Sequence, residues 1–445
     1  MSGFAKEKIE ELKKLYGIEP ALYEKYNVKR GLRNKDGTGV LVGLTKIGEV
    51  RGYMIDESDK VSIPGKLMYR GINMADIVNE NAKRNRHAFE ETMYLILMGT
   101  LPTKDELSEF KDILSEHRAL PAGFTEDMIL KAPSPNIMNK LARSVLASYS
   151  YDKDPDNLEI GNLLRQSVEL IARFPAMVAY AYQAKKHYYD HDSLYLHSPK
   201  PDYDTAENIL HLIRRDNSFT KLEADTLDLM LVIHAEHGGG NNSSFATHVV
   251  SSSGTDTYSA IAAAVGSLKG PKHGGANAKV MGMIDEIKQN CDWRDEGSLR
   301  DYLVKIINKE AYDKTGLIYG MGHAVYTLSD PRAQLLKAKA FEMAESTGST
   351  DEFLMYERIE RMTPELFSEI KGGGKQLCAN VDLYSGFVYS MMNIPEELYT
   401  PLFAVSRVAS WCAHRMEEIV AGGKIIRPAY KSVTVKREYT PIEER

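Results

Sequence analysis

Histidines set beside glycines mark the second half of the chain. His234 and His237 lie in HAEHGGGNNSSFATH, His273 in LKGPKHGGAN and His323 in GMGHAVYTLSDPRA. After a further glycine run at 372 to 374, NVDLYSG places Asp382 ahead of an apolar stretch. Glycine-bounded turns hold a side chain by backbone geometry and can aim an imidazole into a cleft. Imidazole and carboxylate groups are also the usual agents of proton transfer near neutral pH. The bland reading of each histidine is a packed or capping residue at the end of a buried helix.

Two other chemistries compete at the first block. His-x-x-His is a metal-ligand spacing, but the Glu of H-E-x-x-H and an evident third ligand are missing, so no metal centre is expected. His-Gly-Gly-Gly resembles an esterase oxyanion loop, yet no serine occupies G-x-S-x-G, the turn that would expose its nucleophile. Cys291, Cys378 and Cys412 are odd in number and lack C-x-x-C spacing, which argues against a thiolate metal cage or a disulfide framework and for a reducing cytoplasm.

The order and spacing of these blocks resemble the citrate synthase family. Arg407 in FAVSRVASWCAH and Arg427 in IIRP extend the match, and VSIPGKLMYRG with FEETMYLILMGTLPT after it is similar to the family's N-terminal half. The resemblance implies condensation of acetyl-CoA with oxaloacetate and water to give citrate and CoA, with no cofactor. Residue by residue, it implies Asp382 as the base at the thioester methyl, His273 as the donor at the thioester oxygen, and His323 as the group that polarises and protonates the keto oxygen. His237, Arg332, Arg407 and Arg427 are the implied oxaloacetate ligands, with Arg427 donated by the neighbouring subunit of a homodimer. Arginine suits that task because its planar fork stays charged and meets a carboxylate in two parallel hydrogen bonds.

Asn241 and Ser243 are expected to orient these groups. CoA is expected along Leu317 to Gly322, where Gly320 and Gly322 allow close approach, with Lys375 on a phosphate. Gly238 and Thr327 depart from the family pattern, where an acidic and a basic residue are usual. The family also includes 2-methylcitrate synthase, which uses propionyl-CoA; one methylene is worth only about 1–3 kcal/mol in a pocket, so the motifs leave both readings open. A metal-dependent hydrolase and a non-catalytic helical scaffold stand as further alternatives.

The elements that must carry these residues read as mainly α. Phe89, Met93, Ile96 and Leu97 have helical spacing, stopped by Gly99 and Pro102. Thr103 with Glu106, and Thr220 with Glu223, have the spacing of capping boxes. Helical patterns also cover Leu158–Tyr182, Leu227–His237, Thr255–Leu268, Leu299–Ile307, Arg332–Ala344 and Leu398–Val420. The glycines at 238–240 are expected to end the second of these. A surface helix is expected around Lys6–Tyr16 with Ile9, Leu12 and Tyr16 buried, a small β ribbon over Gly37–Ile55, and loops at 148–157 and 183–204.

By the resemblance, a large helical domain (1–278 with 387–445) is interrupted by a smaller one (279–386). Thr255–Leu268 and the helix around Arg407 are candidates for the dimer interface. Composition agrees with a chain of this kind: 43% of the 445 residues are hydrophobic, enough for a sizeable core. Against 62 acidic residues stand 56 lysines and arginines, and a net charge of −6 offers no broad basic face for nucleic acid. No apolar run approaches the roughly 20 residues of a membrane span.

Overall fold

The computed structural model describes residues 9–35, 37–56, 59–372 and 376–444. The chain divides into two compact units, 1–44 and 45–445. The first holds helices α1 (Ile9–Tyr16) and α2 (Pro20–Lys25) and an isolated bridge between Arg33 and Gly39. Ile9 and Tyr16 are both exposed, contrary to the expected buried stripe. An amphipathic pattern makes a helix permissible, but only a partner surface buries its apolar side.

The second unit opens with an antiparallel sheet, β1 (Gly48–Asp56), β2 (Asp59–Tyr69) and the short β3 (Ile72–Asn73). Gly48 pairs with Tyr69 and Asp56 with Asp59, with a shift of register between Arg51 and Tyr53. The ribbon thus begins later than the sequence pattern suggests, and Val40, Val42 and Leu44 lie outside any strand. Alternation makes a strand permissible, but pairing decides where it forms.

The rest of the chain is mostly helical. Its helices are α3 (Met74–Lys83), α4 (Phe89–Met98), α5 (Lys104–His117), α6 (Ile137–Ser148), α7 (Ile160–Tyr189), α8 (Thr205–Ile213), α9 (Lys221–His234), α10 (Asn242–Ser251) and α11 (Thr257–Lys269). Then come α12 (Ala276–Asn290), α13 (Glu296–Ile307), α14 (Pro331–Thr347), α15 (Thr350–Lys371), α16 (Asp382–Met391) and α17 (Tyr399–Val420).

Both expected capping boxes are present: Thr103 and Thr220 accept from the amides of Glu106 and Glu223, whose carboxylates reach back to the cap amides. Each satisfies two of the amides that a helix start leaves free. The segment from 183, expected as loop, continues α7 to Tyr189 because Gln183 and Ala184 are still buried.

The core is built around α17, which is enclosed by α4, α7, α9, α10 and α11. Its side chains are buried from Tyr399 through Arg415 with few breaks, so most of this helix is spent inside the chain rather than on an interface. The small residues of α11, expected to permit close approach, do so internally: Ala260 and Ala264 are fully buried where α11 packs on α6, α10 and α17.

Candidate active site

Helix α9 is buried on nearly every side and ends at His234, three residues before the expected end. Its terminator is not the glycine run. The buried carboxylate of Glu236 draws the chain away, bonding to Ser410 and to His414 Nε2 at 3.2 Å on α17, while its Oε1 accepts the Gly238 amide at 2.5 Å. These partners and the nearby Arg407 charge hold the Glu236 acid down at about 2, although burial pushes the other way. An acidic side chain thus organises the turn after His237, but from the position before it.

Around His237 three rings meet. His323 and Tyr326 lie edge-on to it, with ring centroids 5.2 and 5.7 Å away, and His323 stacks on Tyr326 at 4.7 Å. His237 Nε2 is buried and without a protein partner. Burial, with Arg332, His323 and Arg407 close enough to repel a proton, pushes the His237 imidazole well below its ordinary value, so it is neutral. His323 Nδ1 accepts the amides of Val325 (3.0 Å) and Tyr326 (3.1 Å). A nitrogen that accepts carries no proton, so neutral His323 is an Nε2–H donor.

The segment from His323 to Arg332 is held against the sheet. The Gly65 amide donates to Ser329 Oγ at 3.1 Å, and a Cβ on Gly65 would lie 2.7 Å from the Tyr326 ring and collide with the Ser329 carbonyl. Glycine is therefore required for β2 to come this close. At the far end of the segment, Asp330 caps α14 by accepting the Arg332 amide and grips the Arg332 side chain through Nε (3.0 Å) and Nη2 (2.7 Å). Both residues are buried, and the pair holds the Arg332 guanidinium charged. Asp330 was visible in the DPR motif, but nothing there distinguished a helix cap from a guanidinium clamp.

Arg407 is placed differently. Its Nε donates to the His234 carbonyl at 2.7 Å and its guanidinium lies 4.8 Å over the Phe403 ring, yet Nη1 and Nη2 are both buried with no protein partner. Burial and repulsion from Arg332 push its pKa down to about 10, with Glu236 opposing. Two desolvated cations, one of them with two free donors, make a cradle for carboxylates.

His273 lies in the turn after α11, and its ring is 6.3 Å from Phe403. Burial and the charge on Arg407 push its pKa down to about 4. Its Nε2 is 3.1 Å from Ser243 Oγ, which also accepts Trp411 Nε1–H at 3.0 Å. The one Ser243 proton goes either to Asn241 Oδ1 at 2.9 Å or to His273 Nε2. In the second arrangement His273 carries its own proton on Nδ1, free to donate elsewhere. Trp411 was not singled out from the sequence.

Asp382 begins α16. The residues ahead of it pair with the glycine turn before His323: Met321 bridges Ala379, the Gly322 amide donates to the Cys378 carbonyl, and the Asn380 amide donates to the Gly320 carbonyl. Burial and the charge of Asp330 push the Asp382 acid up to about 6, while Arg332 pulls it down. A carboxylate tuned to that range suits a general base at neutral pH.

Thus Arg332 acts electrostatically on Asp382, Arg407 and His237, and Arg407 on His273. Beside His323 a cleft is lined by Leu317, Met321, Gly322, Tyr326, Thr327 and Lys371, among others. Gly320 is not among the residues that line it but packs against Leu383, and Lys375 lies outside the described residues. Arg427 stands apart. It is exposed in the extended segment after α17, where the adjacent Ile426 amide donates to Ser252 Oγ. Ser252 is at the opposite end of α10 from Asn241, so Arg427 does not join this site within its own chain. At the His234–His237 spacing, His234 Nδ1 bonds to the Met230 carbonyl at 2.7 Å, and among the described residues no third ligand gathers with the two.

The family model described as "Citrate synthase, C-terminal domain" matches residues 36–429. Citrate synthase from Haloferax volcanii is 33% identical over 429 residues, covering 94% of this chain and 99% of that protein. The 2-methylcitrate synthase of Shewanella oneidensis is 32% identical, covering 89% and 97%. Among solved structures, citrate synthase from Pyrobaculum aerophilum superposes with a TM-score of 0.73 at 29% identity, covering 91% of this chain and 94% of that one. The Thermoplasma acidophilum enzyme, solved as a ternary complex with carboxymethyl coenzyme A and oxaloacetate, gives 0.73 at 26% identity, covering 94% and 99%.

Proposed function

Because the chain belongs to the citrate synthase family of condensing acyltransferases, we propose that it joins acetyl-CoA to oxaloacetate and, with water, releases citrate and CoA. The observation that carries this reading is the set of buried nitrogens without protein partners, Nη1 and Nη2 of Arg407 together with Nε2 of His237. Leaving such groups unsatisfied costs several kcal/mol, which a bound dicarboxylate would offset.

Oxaloacetate sits between Arg332, Arg407 and His237. Asp382 takes a proton from the thioester methyl, and Nδ1–H of His273 supports the negative charge that develops on the thioester oxygen. The enolate carbon attacks the keto carbon while His323 gives its Nε2 proton to the keto oxygen. Water then cleaves the citryl thioester and free CoA leaves. The acyl-CoA occupies the cleft along Leu317 to Gly322, with Lys371 at its edge as a cation for phosphate.

The protein works as a homodimer in which Arg427 completes the neighbouring site. Exposed apolar side chains along the same segment, Ile425, Tyr430, Val435 and Tyr439 among them, support a partner surface there. Residues 279–386 act as a smaller lobe that closes on the rest (1–278 with 387–445) to exclude water from the thioester. A second reading, 2-methylcitrate synthesis from propionyl-CoA, is favoured by the similarity to the Shewanella enzyme. Thiol release measured with oxaloacetate and each acyl-CoA tests both. Higher kcat/KM for acetyl-CoA supports the first, higher kcat/KM for propionyl-CoA the second, and no oxaloacetate-dependent release from either contradicts the function.

A further inference from the structure

Behind the turn after His237, two imidazoles face each other across 3.0 Å, His248 Nε2 on α10 against His414 Nδ1 on α17. The outward nitrogen of each ring is on a carboxylate: His248 Nδ1 lies 2.8 Å from Glu418 Oε2, and His414 Nε2 lies 3.2 Å from Glu236 Oε2. A carboxylate accepts and an imidazole N–H donates, so both outward nitrogens carry the proton. With both rings neutral the two inward nitrogens are bare, and two lone pairs at that distance repel unless a proton or a metal cation lies between them. Glu417 turns toward the same place. Its Oε1 accepts the Lys46 amide at 2.7 Å, while its Oε2 is buried without a partner, 4.0 Å from His414 Nδ1.

We propose that His248 Nε2, His414 Nδ1 and Glu417 Oε2 form a binding site for a divalent transition ion of the zinc and cobalt class. The three atoms lie within 4.8 Å of one another, close to the spacing of ligands around one such ion at bond lengths of about 2.0–2.2 Å, so only small side-chain movements are needed. Two imidazoles and one carboxylate are a ligand set that zinc favours. A carboxylate behind each ring is the arrangement that fixes the tautomer of metal-bound histidine and raises its basicity. Three carboxylates flank the two rings, and the Arg70 and Arg407 charges act on Glu417 and Glu236 without bonding to Glu417 Oε2.

None of these residues is in the condensation machinery. The His248–His414 pair stands apart from the His234–His237 pair that the sequence brings to notice, because its members come from helices far apart in the chain. The ion would pin α10 to α17 beneath Gly239, where a Cβ would lie 3.5 Å from His248 Nε2, and so brace the turn that carries His237.

The test is a titration of the chelator-treated, full-length protein with Co²⁺, read by visible d–d absorption, and then displacement with Zn²⁺. One equivalent per chain is expected, with low-symmetry bands that Zn²⁺ abolishes, and Zn²⁺ should raise the melting temperature of the apo-protein. His248→Ala and Glu417→Gln should each weaken binding by at least about 100-fold, and Glu418→Gln, which keeps all three ligands, by about 10-fold. Glu418→Gln also guards against a fold lost in the ligand variants, since circular dichroism should show it native. No d–d bands, meaning a proton alone bridges the rings, would overturn the site. So would binding of equal strength in wild type and all three variants. Turnover enters none of these readouts, so failure here is separable from failure of the condensation.

Discussion

Asn380 Nδ2 donates to the Gly322 carbonyl at 2.8 Å, tying the segment that leads into Asp382 to the turn that leads into His323. The two proposed proton-transfer groups are thus fixed on paired backbone, and no domain movement is needed to unite them. Gly320 makes the pairing fit. Its φ is +84°, and a Cβ there would lie 2.8 Å from Leu383 Cα, next to Asp382. Gly320→Ala combines left-handed strain of roughly 1–2 kcal/mol with a backbone collision. It should lower both Tm and kcat, as thermal melts and initial rates would show; unchanged kcat would contradict the coupling.

Arg332 and Arg407 are both buried but have opposite energetics. Arg332→Leu would leave Asp330 buried and unpaired, at about 3–5 kcal/mol. Arg407→Leu removes a guanidinium with two unsatisfied donors, so the loss in urea unfolding should be clearly smaller. The same Arg407 variant should raise KM for oxaloacetate by about 100-fold, the scale of a lost bidentate carboxylate contact. Equal destabilisation by the two substitutions would refute the assignment.

The Glu236 acid, held at about 2 in the fold, lies below the roughly 4.3 of a free glutamate. Its contribution to stability is complete above that free value and disappears as pH falls from about 4.3 toward 2. Unfolding midpoints should therefore drop across that window in the wild type and drop less steeply in Glu236→Gln. Parallel profiles would show that Glu236 is not a source of acid sensitivity.

If Arg427 serves the neighbouring subunit, Arg427→Ala and Arg407→Ala chains are each nearly inactive alone. In a random mixture half of the dimers are mixed, and one of the two sites in each mixed dimer is complete, so activity should recover to about a quarter of wild type. Verified mixed dimers without recovery would place Arg427 outside the partner's site.

Much of the fold and the site was legible in the sequence, because motifs and caps are local. Thr103 with Glu106 and Thr220 with Glu223 form the boxes their spacing implies, and His237, His323 and Arg332 were each marked by glycine or proline neighbours. What was hidden depends on partners far away in the chain. Glu236 looks like any acid until α17 brings Ser410 and His414 against it, and Gly65 looks like a strand defect until Tyr326 and Ser329 lie on it. Phe403 and Trp411 support Arg407 and Ser243 from a helix whose apolar pattern is continuous, so no periodicity singles them out. The ribbon starts later than expected and the apolar side of α1 stays exposed for the converse reason: Val42, Leu44 and Tyr16 have the right pattern, but more than half of each is exposed.

The central claim is that Asp382 removes the methyl proton. Asp382→Asn keeps the size of the side chain and removes its basicity, so oxaloacetate-dependent thiol release from the acyl-CoA should fall by roughly 10²–10⁴, while calorimetry should find oxaloacetate binding nearly unchanged. Turnover in Asp382→Asn within a few-fold of wild type would contradict it.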